Sequence, residues 1–165
     1  MSTKPAGYSA TQIALHWIIA VLVIFQLIMG EDIKPAYRAF SRGNTPVEAD
    51  LFWANIHVYV GIAIFVLALL RVVVLLRRGA PEPPADEHRL LKMAARATHG
   101  ILYLVILGMP ISGGVAWYFG IHDAGEVHEM AKPVIIAVVV LHVAAALWHH
   151  FVKRNDVLKR MVRPA

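Results

Sequence analysis

An all-α protein built as an integral-membrane bundle of four transmembrane helices is what this sequence predicts, and three observations predict it. Hydrophobic residues make up 58% of the 165 positions and the mean hydropathy is +0.59, above the roughly 45–50% apolar share of a soluble globule. The apolar residues gather into four runs, each reaching or approaching the roughly 20 residues that cross a hydrocarbon core of about 30 Å. Lipid offers no partner to an unpaired backbone group, so such runs must be helical.

The first run, Ile13–Met29, carries His16 and Gln26, with a span expected over about 9–30. Its long apolar stretch, single early charge at Lys4 and lack of a small-residue cleavage site read as a retained span, not a cleaved signal. The second span is expected over 51–76; Leu51–Leu70 is free of formal charge and the run continues past Arg71 to Leu76. The third, over 96–121, is uncharged from Ala97 to Ile121, with Pro110 and Gly113-Gly114 expected to break it. The fourth, over 125–152, enters past Lys132-Pro133. Glu31–Asp50, Arg77–Arg96 (with Pro81, Pro83 and Pro84) and the acidic Asp123–Glu126 are read as connections, and residues 1–165 as one domain.

Charge sets the expected orientation. Lys4, Arg71, Arg77, Arg78, Arg89, Lys92, Arg96, Lys153, Arg154, Lys159, Arg160 and Arg163 fall on the side of both termini, against Lys34, Arg38, Arg42 and Lys132 opposite. Twelve against four places both termini in the cytoplasm of a bacterial inner membrane. The net charge of +5 is then a topology signal with lipid as the partner, and no nucleic-acid motif accompanies it. The absence of cysteine excludes disulfides, iron–sulfur clusters and thioether-linked haem on this chain.

Histidine carries the chemistry. Seven of nine lie in or at the ends of the spans: His16, His57, His99, His128, His142, His149 and His150. A lone intramembrane histidine reads as a buried hydrogen-bonding residue, but one or more on every span reads as a constellation facing the bundle interior. Depth sorts them. His16 and His142 lie in the inner half, and His57 and His128 in the outer half. His128 and His142 are fourteen residues apart in the sequence, about 21 Å along one helix face. Two bis-histidine haems fit that spacing, with Ala20, Gly61 and Ala146 following proposed ligands by four residues and leaving room for a flat ring. Zinc or di-iron would want carboxylates beside the histidines, and these are nearly absent from the spans.

His99 is an alternative partner for His16. Otherwise His99 and His149, both near the inner boundary, are candidates for a quinone pocket, where an imidazole can bond a carbonyl and pass it a proton. Contact with haem propionates, or simple interfacial placement, suits them equally. His150 points away from His149 and reads as interfacial. Arg71, Arg96 and Lys153 are candidates for the inner propionates, and Lys132 or Arg38 for the outer ones.

Tyr8-Ser9 with Ala14-Leu15-His16-Trp17, Asn55-Ile56-His57 with Gly61, and Arg71 mark the first two spans. His99-Gly100, Tyr103-Leu104 and Met109-Pro110-Ile111-Ser112-Gly113 mark the third. Val127-His128-Glu129, Leu141-His142 through Leu147, and His149-His150-Phe151 mark the fourth. On these stretches nearly the whole chain resembles the bacterial four-helix cytochrome b561 family. It is similar, more distantly, to the cytochrome b subunits of nickel–iron hydrogenases and formate dehydrogenases. The resemblance implies two b-type haems, His16 and His142 on the inner, His57 and His128 on the outer, and exchange with the quinone pool. One member type implies a superoxide oxidase: superoxide oxidised on the periplasmic side, ubiquinone reduced on the cytoplasmic side, His149 touching quinone.

Two features separate this chain from that type. The connection before His128, Tyr118 to Val127, is short, and the outer segments hold seven acids (Glu31, Asp32, Glu48, Asp50, Asp123, Glu126, Glu129) against four bases. A net negative face repels an anion, unless the four bases cluster. It suits a basic periplasmic redox protein docking on a non-enzymatic electron-transfer anchor.

Overall fold

A computed structural model describes residues 5–85 and 87–165; Lys4 lies outside the described residues. The helices are α1 (Ala10–Met29), α2 (Lys34–Ser41), α3 (Glu48–Arg78), α4 (Arg89–Phe119) and α5 (His122–Phe151), with 3-10 turns at Gly30–Ile33 and Lys159–Met161. No strand occurs among the described residues. The long helices α1, α3, α4 and α5 are each apolar enough to cross a membrane.

Local chemistry explains the boundaries. Ser9 caps α1 through a reciprocal capping box with Gln12. Glu48 and Asp50 open α3 and Arg77 and Arg78 close it, complementing the helix dipole. Gly79 (φ +76°) and Gly120 (φ +66°) stop α3 and α4 with backbone angles that favour glycine.

Three expectations about the connections are corrected. Asp123–Glu126 is no loop: Gly120 turns the chain so sharply that α5 starts at His122, and these acids form its first turn. The polar stretch 31–50 holds the short helix α2, with Pro35 in its first turn, where the missing N–H costs nothing. Helix α4 begins at Arg89 and runs unbroken through Pro110 and Gly113-Gly114. Proline is tolerated inside a spanning helix where neighbours re-satisfy the freed backbone groups. The carbonyl that Pro110 leaves without its helical donor is that of Ile106; the neighbouring Met109 carbonyl accepts from Ser112 Oγ at 3.0 Å and from His128 Nδ1 at 2.8 Å.

Helix α4 packs closely on α5, α1 on α3, and α3 on α4, while α5 keeps its backbone apart from α1 and α3. The core is a mid-depth layer of Ile19, Val23, Ile64, Ala68 and Ile135. Ile135 stands seven residues from His128 and seven from His142, so this layer separates two histidine levels. Large apolar side chains such as Ile28, Leu76, Leu104, Val140 and Phe151 point outward, as a lipid-facing surface requires.

The two ends differ. At one, α2 folds across the bundle, with Phe40 edge-on to Trp117 at 5.4 Å and Tyr37 against Gly125, where an added Cβ would stand 2.9 Å from the phenol oxygen. At the other, the last residues return beneath α1. Trp17 Nε1 donates to the Met161 carbonyl (2.7 Å), Ala165 N to the Tyr8 carbonyl (3.1 Å), and Arg160 Nη1 to the Glu82 carbonyl (2.9 Å).

Candidate functional site

At the α2 end, His57 of α3 and His128 of α5 face each other with ring centroids 6.0 Å apart and planes at 71°. They line a cavity of about 370 Å³, walled also by Gln26, Tyr37, Gly113 and Trp117. Because a carbonyl only accepts, the His128 Nδ1 contact with Met109 O puts the ring proton on Nδ1 and leaves the Nε2 lone pair free. Gly113 makes this possible: a Cβ there would stand 2.8 Å from His128 Nδ1. Gln26 Nε2 donates to the His57 carbonyl at 2.7 Å, anchoring that turn of α3. His57 Nδ1 and Gln26 Oε1 are buried without a hydrogen-bond partner.

At the end carrying the termini, three imidazoles converge from three helices. His16 and His142 have centroids 6.1 Å apart, and His99 and His142 5.1 Å. His99 Nδ1 is tied to the Ala95 carbonyl of its own helix at 2.7 Å. Arg71 reaches the same level and donates from Nη1 to the Gln12 carbonyl at 2.7 Å. Both wide pairs, His16–His142 and His57–His128, therefore bridge helices whose backbones stand apart.

These contacts give the molecule two histidine levels on one bundle, and the comparisons with known proteins match the whole of it. The family model for prokaryotic cytochrome b561 covers residues 7–164. The chain belongs to the prokaryotic cytochrome b561 family. Among similar proteins, "Cytochrome b562" of Cereibacter sphaeroides is 36% identical over 98% of this chain and 99% of its own. "Probable superoxide oxidase CybB" of Yersinia pestis is 29% identical (94% and 95%), and "Cytochrome b561 homolog 2" of Escherichia coli 26% (98% and 94%).

A cytochrome b561 is a membrane electron-transfer protein, and the family implies haem b. The residues present fit such a group. Two imidazoles sharing one metal at nitrogen–metal distances of about 2.0–2.1 Å have ring centroids about 5 to 6 Å apart, depending on the angle between them. The His16–His142 and His57–His128 pairs, at 6.1 and 6.0 Å, and the His99–His142 pair, at 5.1 Å, all fall in that range. The Nδ1 bond of His128 is the outer-shell support that a metal-ligating imidazole needs.

The other predicted residues separate. His149 Nδ1 takes a hydrogen bond from Asn155 Nδ2 at 2.8 Å and lies 3.6 Å from Glu87 Oε2; His99 stays beside His142, with its Nδ1 on the Ala95 carbonyl. His150 stacks edge-on against Phe151 at 4.8 Å, its Nδ1 buried without a partner. Lys153 faces Glu87 at 3.8 Å. On the α2 face, Lys34 bridges Glu31 (2.8 Å) and Glu129 (2.6 Å), and Lys132 also pairs with Glu31. Two of the four outer bases are thus neutralised in a network that clamps the Gly30–Ile33 turn to α5.

Sequence reasoning missed Gln12 and Glu87, the two buried polar side chains among the described residues. Ser9-x-x-Gln12 is a capping-box pattern and marked Gln12; its Nε2 also holds the Gly79 carbonyl at 2.9 Å. Glu87 lies in a proline-rich, charged connection with no such signal.

Proposed function

We propose that this cytochrome b561 binds two haem b groups, one per histidine level, and carries electrons across the membrane between a donor at the α2 end and quinone at the end of the termini. The single observation that carries the reading is the pair of matched imidazole separations, 6.1 and 6.0 Å, at two depths and across helices otherwise held apart. His16 and His142 would hold one haem, and His57 and His128 the other. Bound haem supplies the one-electron redox change.

The chain's own residues do the rest. Met109 O fixes the His128 tautomer, Gly113 clears its ring, and Gln26 anchors the turn that carries His57. Arg71 stands at the level of His16, where it can meet a propionate. The apolar layer around Ile135 keeps water from joining the two levels. The excess of basic residues at the end of the termini supports a cytoplasmic location for it, in a bacterial inner membrane.

For the donor, oxidation of superoxide to O2 with ubiquinone reduction is the enzymatic form of the reading, supported by the relative named a probable superoxide oxidase. A second reading has an observation of its own. Lys34 and Lys132 are spent on Glu31 and Glu129, so the α2 face carries unmatched acid and suits a basic redox protein docking on a membrane anchor.

Purified protein should show a reduced-minus-oxidised b-type spectrum and about two haems per chain by pyridine hemochrome. His57→Ala and His142→Ala should each lose about one. A colourless folded protein, or loss of haem in His99→Ala with retention in His142→Ala, would overturn the assignment. Superoxide generated enzymatically outside proteoliposomes should then drive quinone reduction; a rate no higher than the uncatalysed background leaves the docking reading.

A further inference from the structure

Glu87 is one of two buried polar side chains among the described residues. It sits in the connection between α3 and α4, at the end of the termini, with its side chain only 5% exposed. Its oxygens face two groups of α5: Oε2 lies 3.6 Å from His149 Nδ1 and Oε1 3.8 Å from Lys153 Nζ. A structural ion pair would close to about 2.7–2.9 Å. Here both gaps are open and Oε1 has no hydrogen-bond partner, an unfavourable state for a buried carboxylate. Other polar groups nearby are committed elsewhere. Asn155 Nδ2 holds the His149 Nδ1 lone pair, His88 Nδ1 caps Leu90 N, and Arg160 bonds the Glu82 carbonyl and Asp156.

We infer that Glu87 relays protons to His149 for quinone reduction. The inference rests on the quinone reading above and deepens it. Reducing a quinone to a quinol takes two electrons, which the membrane electron transfer supplies, and two protons, which the chain must bring in from water. With Asn155 Nδ2 donating to Nδ1, the ring proton stands on Nε2. For each proton, Nε2–H is given to a quinone oxygen while Nδ1, released by Asn155, takes a proton from the Glu87 carboxyl as the contact closes; water then carries that proton from Nδ1 to Nε2, restoring the Nε2–H tautomer before the next transfer. Glu87 is then reprotonated from solvent on the side of Lys153, whose ammonium stabilises the carboxylate between turns. Glu87 touches neither quinone nor haem. It is a positioning and relay residue acting through His149.

The test uses detergent-purified, haem-loaded full-length protein, a chemical reductant and a water-soluble ubiquinone analogue, followed from pH 6 to pH 8.5. Glu87→Gln should keep the b-type spectrum and a KM for the analogue within about twofold, while kcat falls about 100-fold, the low end for a lost proton-transfer group. The loss should deepen with pH, and added acetate should restore part of the rate in Glu87→Gln but not in wild type. Glu87→Asp should be slowed less and keep the wild-type pH profile. Wild-type kcat and pH profile in Glu87→Gln would overturn the role of Glu87 and leave the quinone reading standing. No turnover of the analogue by wild type would overturn the quinone reading, and this inference with it. Loss of the haem spectrum in both variants would make Glu87 structural and equally overturn the relay.

Discussion

Gly113 and Gly114 are neighbours in sequence and opposites in consequence. A Cβ on Gly113 would press on His128 Nδ1 at 2.8 Å, whereas one on Gly114 meets nothing within 4 Å. The His128 ring cannot swing away freely, because its Nδ1 is bonded to Met109 O. Gly113→Ala should therefore weaken haem retention at the α2 level by about 10- to 100-fold, the usual cost of disturbing an outer-shell contact. Gly114→Ala should match wild type in haem content by pyridine hemochrome. The histidines themselves were legible in the sequence from helical spacing and depth. The clearance at Gly113 was not, since it depends on the rotation of α4 against α5, which no local pattern encodes.

At the scale of elements, α2 and the C-terminal segment close the two ends of the bundle. Helix α2 rests on Gly125 through Tyr37, on Trp117 through Phe40, and on the Lys34–Glu129 pair next to the Lys132–Glu31 pair. Gly125→Val should displace Tyr37 and lift α2, raising amide exchange over residues 34–41 while α5 stays protected below Pro133. Equal exchange in variant and wild type would refute this docking. The C-terminal segment depends on Arg160, which bonds both Asp156 Oδ2 (2.8 Å) and the Glu82 carbonyl (2.9 Å). Arg160 beside it holds the Asp156 carboxyl below its ordinary value. A depressed carboxylate contributes stability that is complete above its unfolded value and lost as pH falls through the folded one. Docking of residues 155–165 should thus be unchanged from neutral pH down to about 5 and loosen in more acid solution, read as trypsin cleavage after Lys159 or Arg160 once samples are returned to neutral pH. Replacing Asp156 by Asn should remove that acid step. Neither closure was expected from the sequence: α2 is short and its apolar residues are few, and the tail reads as a polar, basic run.

For the whole molecule, haem held at the proposed levels would be a structural member. Helix α5 leans on α4, while its ties to α1 and α3 run through His142 and His128 and a thin shared core. Any group that binds the folded state alone stabilises it by mass action, by about 4 kcal/mol at a thousandfold excess over Kd. The thermal midpoint should accordingly rise with haem occupancy, in two increments if the levels fill independently. Removing both levels with His57→Ala and His142→Ala together should leave a helical but less stable protein in detergent. A midpoint independent of haem content would show that the bundle holds α5 without help.

The sequence by itself determined the four spans, their order and the family resemblance, because hydropathy, charge and helical period are properties of adjacent residues. It also grouped His16 with His142 and His57 with His128 by depth and face, with His99 left as a rival partner for His16. Only the tertiary structure decided the ring separations at each level, that Met109 O orients His128, that α2 covers one end, and that Glu87 turns inward to His149. Those facts follow from the tilt and rotation of whole helices against one another. They are fixed by packing between residues tens of positions apart, and no stretch of the chain contains them alone.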